Sequence, residues 1–366
     1  MQKLYYISSS TFPSNAANSV QVIKMCEEFS KKYRVTLYGK YNTESKCNVD
    51  EIFEIYGCKK VFDFDLLSTN RNLVYSIIIF FKLIFKTNSI FYSRNYFVSA
   101  LLKLAFKKNV FFEVHTDPIH SPFYNTFLKF VVKYFGLKLI AISESLKLIC
   151  SKYYDIPKDR IFVSHDAADA RKFKMDINPI KSNKKINVGY IGSIYPGRGV
   201  EIICELALLN PLINFNIIGG NNDLTNKLKN KYNCNNLNFT GHIPYSNIQC
   251  YFKDQHILLG PYQNNLSISG GAINTVNYMS PLKLFEYMAS KRAIIISDLP
   301  ALREVIDEKS AILVSADNIE DWDRELKSLI NDEIRYIKLI ENSYKVFLNN
   351  YTIKIRVKNI NNFING

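Results

Sequence analysis

The chain has 366 residues, of which 47% are hydrophobic and 22% are charged. This length exceeds one ordinary hydrophobic core and predicts two domains, and the composition excludes a fibrous or an intrinsically disordered protein. The formal net charge of +14 favours anionic partners such as nucleotides, phospholipid headgroups or nucleic acid. Lysines spread over every solvated face would give the same number, so the charge does not choose among these partners.

The cysteines and the apolar segments indicate a cytoplasmic protein. The seven cysteines are scattered, without a C-x-x-C pair or a histidine at zinc-ligand spacing, and are typical of reduced, buried thiols. The start MQKLYYISSS lacks the basic residues and apolar run of a signal peptide. The longest apolar run, 73–85, is shorter than the ~20 residues that span a bilayer and contains Lys82. We therefore predict no transmembrane helix.

Segments rich in β-branched and aromatic residues alternate with stretches of helical period in the first half of the chain. This alternation is typical of parallel sheets with crossover helices and predicts an α/β fold. The first helix is predicted to use Ser19 as its N-cap. The predicted strands are 3–8, 35–38, 90–93, 110–115, 139–143 and 161–164.

The periodicity stops between Asp169 and Lys185, in a polar, basic segment broken by Pro179. A second α/β pattern follows, with predicted strands 186–191, 215–218, 237–240, 257–259, 293–297 and 311–314. We predict an N-terminal domain over residues 1–170, a linker over 171–185, a C-terminal domain over 186–348 and a last helix, 349–366, that returns to the first domain.

The segment SPLKLFEYMA carries the strongest local signal. Ser280 as N-cap and Pro281 at the first helical position predict a helix start. Lys283 then lies in the first turn, where the helix dipole disfavours a cation unless an anion binds there. The exposed N–H groups and the ammonium together suit a phosphate, and Glu286, one turn later, suits ribose hydroxyls. The alternative is a surface Lys–Glu pair at i,i+3.

Two other segments directly follow the ends of predicted strands. In VGYIGSIYPGRGVE, Arg198 lies at a helix start and fits bidentate phosphate binding. A G-x-G-x-x-G motif is absent because Gly192 is followed by Ser193, which weighs against an NAD enzyme. The loop 260–279 is rich in Gly, Asn and Ser and is too long for a tight connection, so it is predicted to be functional.

The strand 110–115 ends as FFEVHTDP, which places Glu113 and His115 on the same side of the strand end. His115 is predicted to face the cleft between the two domains. A lone histidine at a strand end is also often structural, so this segment alone leaves both roles open.

In this order, GYIGSIYPGRGVE, FTGHIP, SPLKLFEYMAS and IIISDLPALREVI resemble the GT-B-fold glycosyltransferases of family 4. The resemblance extends over essentially the whole chain and rests in the first half on EVHTDP and IAISESLK. It implies two Rossmann-like domains with a cleft between them, of which the first binds the acceptor and the second the nucleotide sugar.

The resemblance also implies roles for individual residues. Arg198 and Lys283 would bind the donor diphosphate, Glu286 would hold the ribose, and His115 would lie near the donor sugar. Catalytic roles are thus expected for His115, Arg198 and Lys283. The expected donor-binding residues are Gly192, Ser193, Arg198, Gly241, His242, Ile243, Ser280, Pro281, Leu282, Lys283 and Glu286, with Gly241, His242 and Ile243 framing the base.

A retaining transfer without a metal is implied, with the nucleotide sugar as co-substrate and no cofactor, because fixed cations and helix dipoles stabilise the leaving diphosphate. Two departures qualify the resemblance. Tyr278 stands where the E-x7-E pattern has its first Glu, which permits a non-catalytic nucleotide-sugar-binding homologue or partner subunit. Ser193 stands where an Arg is usual, so Lys283 is expected to supply that charge.

The expected function is transfer of a sugar to a glycan or lipid-linked acceptor in cell-surface polysaccharide biosynthesis. The stretches 74–86, 96–108 and 123–138 mix apolar and aromatic residues with lysines, as in helices that lie on a membrane surface. Buried crossover helices with lysines at their edges would show the same pattern. Peripheral attachment to the inner face of the cell membrane is predicted. Nucleic-acid binding would rest on charge alone, since no known module is present, and a nucleotide-sugar epimerase would need no acceptor.

Overall fold

The computed structural model describes residues 1–14, 16–45, 47–118, 122–181, 185–220, 222–266 and 274–366. The chain divides into two compact units, Met1–Asp166 with Ile353–Gly366, and Ala167–Thr352. Within the described residues the strands form two parallel sheets, one of seven strands and one of six. The α/β fold class predicted from the sequence is therefore confirmed.

The first unit is a sheet of order β3-β2-β1-β4-β5-β6-β7 with crossover helices. Its strands are β1 Lys3–Phe12, β2 Arg34–Tyr41, β3 Asp63–Leu67, β4 Ser89–Ser93, β5 Val110–Val114, β6 Lys138–Ala141 and β7 Ile161–Val163. Its helices are α1 Ala17–Phe29, α2 Val49–Ile55, α3 Asn72–Leu83, α4 Tyr96–Leu104, α5 Pro122–Phe135, α6 Glu144–Tyr154 and, from the end of the chain, α14 Ile353–Asn365.

Strand β3 was not predicted, although the other six strands of this sheet were. It is five residues long, lies at the sheet edge and pairs only with β2 among the described strands, and no residue of it is fully buried. A short edge strand needs little apolar sequence, so its pattern is weak. The N-cap prediction was also wrong, because α1 begins after Ala16 and the Ser19 hydroxyl instead donates to the Thr11 carbonyl.

The second unit is a sheet of order β10-β9-β8-β11-β12-β13. Its strands are β8 Asn187–Ile191, β9 Asn214–Ile218, β10 Leu237–Gly241, β11 Ile257–Gly260, β12 Ala293–Ser297 and β13 Ile312–Val314. Its helices are α7 Val200–Leu209, α8 Asn222–Lys231, α9 Ile248–Lys253, α10 Leu282–Ala289, α11 Pro300–Arg303, α12 Ile319–Ile330 and α13 Glu333–Asn350.

Apolar side chains bury both faces of the second sheet. One cluster holds Trp322 and the strand residues Val188 and Ile257, and the other holds Phe285, Leu258 and Ile294. Neighbouring strand residues thus point to opposite faces, as the period of two requires. No helix in the described part of the chain combines the length and the apolar character needed to cross a membrane.

Helix α14 belongs to the first unit. The Phe363 ring stacks on the ring of Phe162 in β7, with centroids 4.8 Å apart. Arg356 of α14 is only 2% exposed and donates to Glu113 of β5. The last helix therefore supplies a cation to the buried Glu113 of the first sheet.

Candidate functional site

The order of the second sheet reverses at β8, since β9 lies on one side of it and β11 on the other. Ligands of open parallel sheets bind at the carboxyl ends of the strands beside such a reversal. The segments that leave β8 and β11 there carry Gly192 and Tyr262, and helix α10 lies next to both strands. The Tyr287 hydroxyl of α10 accepts from the Ile191 amide and donates to the Leu259 carbonyl, 3.0 and 3.2 Å away.

Lys283 extends from the first turn of α10 over the end of β8. Its ammonium nitrogen lies 3.6 Å from the centroid of the Tyr190 ring and 5.3 Å from that of Tyr262. That nitrogen is buried and has no hydrogen-bond partner among the described residues, although part of the side chain is exposed. Burial, and then the charge of Arg198, hold the pKa of Lys283 well below its ordinary value.

Arg198 reaches the same place from the segment between β8 and α7. Its guanidinium carbon lies 5.5 Å from the centroid of the Tyr262 ring, so both cations adjoin one aromatic ring. The Arg198 Nε atom is also buried without a partner in the described chain. The two cations that the sequence assigned to one anion are thus brought together by the fold.

Glu286 follows Lys283 by three residues on α10 and is 6% exposed. One of its carboxylate oxygens, Oε1, has no hydrogen-bond partner among the described residues. Burial raises the pKa of Glu286 to about 7, against the opposing effects of Tyr245, Lys172 and Lys283. A surface Lys–Glu pair is therefore the wrong description of these residues, because both charged ends are buried.

The start of α10 differs from the sequence prediction. Pro281, not Ser280, is the N-cap, and the helix begins at Leu282 without a side chain that caps its first turn. Ser280 is buried before the helix. The helix also has no acidic residue in its first turn. The Leu284 N–H donates to the Pro281 carbonyl, 3.0 Å away, so the N–H groups before it and the helix dipole are the ones that can bind an anion.

Among the other expected donor-binding residues, Gly192 lies directly beside the Lys283 side chain. The Ser193 side chain is exposed and its carbonyl accepts from the Tyr190 hydroxyl. The Gly241 carbonyl accepts from the Gly219 amide, 2.8 Å away, while His242 is exposed and Ile243 half-buried. Tyr278 is buried, and residues 267–273 of the long loop lie outside the described residues.

His115 is held on both ring nitrogens by residues of the first unit. Its Nδ1 lies 3.1 Å from Arg94 and its Nε2 lies 2.5 Å from a Glu113 oxygen. Because a guanidinium only donates, Nδ1 must accept, and Nε2 carries the proton that is donated to Glu113. Burial, and then the charge of Arg94, lower the pKa of His115 and favour this neutral ring.

Glu113 is the centre of this network and is 1% exposed. It accepts from Tyr92, His115 and Arg356. Burial by itself raises the pKa of Glu113, but Arg356 and His115 outweigh it and leave the pKa below its ordinary value. Arg356 also donates to Asp166, at 2.9 Å.

Glu113, His115 and Asp166 offer ligand-type atoms within 4.8 Å of one another. Arg356 donates to both of these carboxylates and so already supplies the positive charge that a metal ion would bring. We assign no metal to this cluster.

Several residues of these sites were missed from the sequence. Tyr190 lies in β8 one residue before its end, and Tyr262 follows the last residue of β11 by two positions. An aromatic residue within two positions of a glycine at a strand end was the available signal. Arg94 follows β4 directly. Arg356 had no local signal, because it lies 243 residues from Glu113 along the chain.

Comparison with known families and structures agrees with the resemblance stated from the sequence. Residues 171–346 match the model of the family described as glycosyl transferases group 1. No curated protein matches the sequence.

Solved structures show the same fold at low sequence identity. A glycosyltransferase from Rickettsia africae ESF-5 has 14% identity and a TM-score of 0.74, with 99% of this chain and 97% of that chain covered. Anabaena Alr3699/HepE in complex with UDP and glucose has 11% identity and a TM-score of 0.76, with 100% of each chain covered. A mutant of S. aureus TarM in complex with Fondaparinux, alpha-GlcNAc-glycerol and UDP has 12% identity and a TM-score of 0.70, with 100% of each chain covered. The predicted GT-B fold is confirmed.

Proposed function

We propose that this chain, whose residues 171–346 match the model of the glycosyl transferases group 1 family, is a retaining glycosyltransferase that moves a sugar, a hexose by the family resemblance, from a nucleoside diphosphate sugar to a glycan or lipid-linked acceptor. The second unit binds the donor and the first unit binds the acceptor. The observation that carries the proposal is the group of buried, unpartnered charged atoms of Arg198, Lys283 and Glu286.

Leaving such atoms unpaired is costly, because a buried charged group without a hydrogen bond loses its hydration and gains nothing in return. A nucleoside diphosphate would repay this cost. Its phosphate oxygens would accept hydrogen bonds from the Nε of Arg198 and the ammonium of Lys283, and its ribose hydroxyls would donate to Glu286. The uncapped first turn of α10 would add N–H groups to the same anion.

The same contacts account for the proposed chemistry. As the bond between sugar and diphosphate breaks, negative charge grows on the leaving phosphate, and preorganised cations stabilise that charge more than they stabilise the bound donor. Two fixed cations supply what a divalent metal supplies elsewhere, so we propose that transfer needs no metal. In this proposal His115 contributes by holding Arg94, since both of its ring nitrogens are engaged.

A panel of UDP-, GDP-, ADP- and CMP-sugars tests the donor by thermal shift, because a ligand that binds only the folded state raises the melting temperature. Since Alr3699/HepE and TarM were solved with UDP, the UDP-sugars are the first choice. One nucleotide class should stabilise the protein, and it should still do so in EDTA. A panel without any shift would contradict the proposal.

The alternative proposal is a non-catalytic nucleotide-sugar-binding homologue or partner subunit, which the tyrosine at position 278 favours. Turnover of the bound donor separates the two. Release of the nucleoside diphosphate only when acceptor extract is added supports the transferase, and binding without release supports the alternative.

We also propose that the first unit attaches to an anionic membrane surface, which fits a role in cell-surface polysaccharide biosynthesis. One face of α3 packs on the unit through Tyr75, Ile79 and Leu83, whereas its other face exposes apolar side chains. The exposed apolar residues on and after α3 are Leu73, Val74, Ile77, Ile78, Phe81 and Phe85. A contiguous apolar face of this kind, with lysines nearby, is typical of interfacial helices.

A further inference from the structure

The first sheet also reverses its strand order, between β1 and β4, because β2 and β3 lie on the other side of β1. A cavity of about 340 Å³ lies at the carboxyl ends of these strands. Its lining includes Ser9 of β1, Arg94 directly after β4, and Asn72, Leu73 and Ser76 of α3. The rule that locates ligands of open sheets at such a reversal therefore applies to this unit as well as to the second.

Two hydrogen bonds and an ion pair hold the Arg94 side chain in place at this cavity. Its guanidinium donates to Nδ1 of His115, 3.1 Å away, and to the Asn18 carbonyl, 3.3 Å away, and its Nε lies 3.7 Å from Glu113. A guanidinium carries five N–H groups, and these contacts leave some of them to donate to a ligand. The side chain is only 10% exposed, so a ligand in the cavity would meet it with little competition from water.

Lys40 is a second cation, in contact with one residue of the lining. It lies in β2, is 7% exposed, and its ammonium donates to the side chain of Asn72, which lines the cavity. No carboxylate in the described part of the chain forms an ion pair with Lys40. Three cations, Arg94, Arg356 and Lys40, stand against two carboxylates, Glu113 and Asp166. Because His115 is neutral, these groups together carry excess positive charge.

The polar groups of the lining also favour a ligand that accepts hydrogen bonds. The Asn95 amide donates to Ser9 Oγ at 2.8 Å and to Ser76 Oγ at 2.9 Å, and Ser76 Oγ donates to the Asn72 carbonyl. The Ser9 hydroxyl, which accepts here, keeps its own proton for a ligand. Leu73, 51% exposed, connects this polar lining to the apolar face of α3.

We propose that this cavity binds an anionic group of the sugar acceptor, a phosphate or a carboxylate, with Arg94 and Lys40 as the cations that recognise it. The identification of the ligand as the sugar acceptor rests on the proposed function, whereas the proposal of an anion site here does not. Two sources of the anionic group fit the lining, a soluble phosphorylated glycan and a lipid phosphate whose chain would continue along α3.

Calorimetric titration of the full chain with inorganic phosphate, glycerol phosphate and hexyl phosphate tests the site. The affinity for all three should fall roughly 10-fold in R94Q and by a smaller factor in K40Q, because each loses a charge-assisted contact. R34Q is the matched control, since Arg34 is 70% exposed at the start of β2 and loses the same charge. Its affinities should equal those of the wild type. K40Q carries the test if R94Q does not fold.

The donor site of the second unit is the competing location for phosphate, so R198Q is titrated in parallel. Loss of phosphate binding in R198Q but not in R94Q and K40Q would overturn the proposal, as would a wild type that binds none of the three probes. Tighter binding of hexyl phosphate than of glycerol phosphate identifies a lipid source, and equal binding identifies a soluble one. UDP affinity, measured in the same variants, should be unchanged in R94Q; a wild type without UDP affinity would refute the proposed function and leave the phosphate result intact.

Discussion

Lys283 passes so close to Gly192 that a methyl group at position 192 would lie 2.5 Å from the Lys283 Cε atom. The glycine after β8 therefore makes room for the cation from α10, which then reaches the ring of Tyr190. The family resemblance would place an arginine after this glycine, where the chain has Ser193, and the fold brings Lys283 to the same strand end. The relationship between residues 192 and 283 leads to the first two predictions.

K283M should weaken nucleoside diphosphate binding and stabilise the free protein. Loss of a charge-assisted contact to phosphate should lower the affinity about 10- to 100-fold. Removing a buried ammonium without a hydrogen-bond partner should raise the free energy of unfolding by about 1–3 kcal/mol. Titration with UDP and urea unfolding measure the two effects. K227M, at an exposed lysine of α8, should change neither. A destabilised K283M would contradict the prediction and show that the contact with the Tyr190 ring outweighs the cost of burying the ammonium.

G192A should lower the UDP affinity by roughly 10-fold by displacing the Lys283 side chain, again through loss of one charged contact. The positive φ of Gly192, 152°, adds backbone strain of about 1–3 kcal/mol to the folded state. The double variant G192A/K283M isolates the coupling: once Lys283 is gone, the added alanine should cost much less affinity. Equal losses in both backgrounds would contradict the direct clash.

E286Q should stabilise the free protein at high pH but not at low pH. The pKa of Glu286 is about 7 in the folded chain because of burial, and about 4.3 in an unfolded chain. Between these values the folded state binds more protons, so the free energy of unfolding of the wild type falls as pH rises through this window. Glutamine does not titrate. The advantage of E286Q should therefore grow to at most about 4 kcal/mol above pH 7.

Urea unfolding from about pH 4 to pH 8 measures this difference, within the range where the protein refolds. E341Q, an exposed position on α13, is the control and should follow the wild type at every pH. An E286Q variant with a constant stability difference across the range would contradict a raised pKa.

R356M should destabilise the protein by about 3–5 kcal/mol, because it leaves the buried Glu113 and its neighbour Asp166 without their shared cation. Denaturant unfolding measures the loss. K358M, exposed on the same helix, should cost little. E113Q in the R356M background should recover part of the lost stability, and the absence of any recovery would argue against charge as the cause.

I77E/F81E should abolish sedimentation of the protein with anionic vesicles, because both substitutions put carboxylates on the exposed apolar face of α3. L212E is the matched control, since Leu212 is 84% exposed but belongs to the second unit. It should sediment like the wild type. A wild type that stays in the supernatant would refute the membrane proposal.

The local patterns of the sequence were sufficient for the α/β class, for nearly all strands and for the motifs around Arg198 and Lys283. Strands and helix starts depend on neighbouring residues, and a buried parallel strand such as β12 must be apolar throughout, which makes its bounds easy to recognise. Helix boundaries are harder to predict where two neighbouring residues both suit the same position. Ser280 and Pro281 both suit a helix start, and in the structure Pro281 is the N-cap.

The tertiary structure alone decided which distant residues meet. The sequence identified a helix-start cation at each of two positions, 198 and 283, but the ring of Tyr262 that adjoins both, and the burial that leaves their charged atoms unpaired, depend on the strand order of the second sheet. Likewise, Arg356 reaches Glu113 across 243 residues, and the cavity beside Arg94 exists because β4 pairs with β1. Local propensities act over a few residues, whereas these contacts are selected by the burial of whole elements, which no segment encodes by itself.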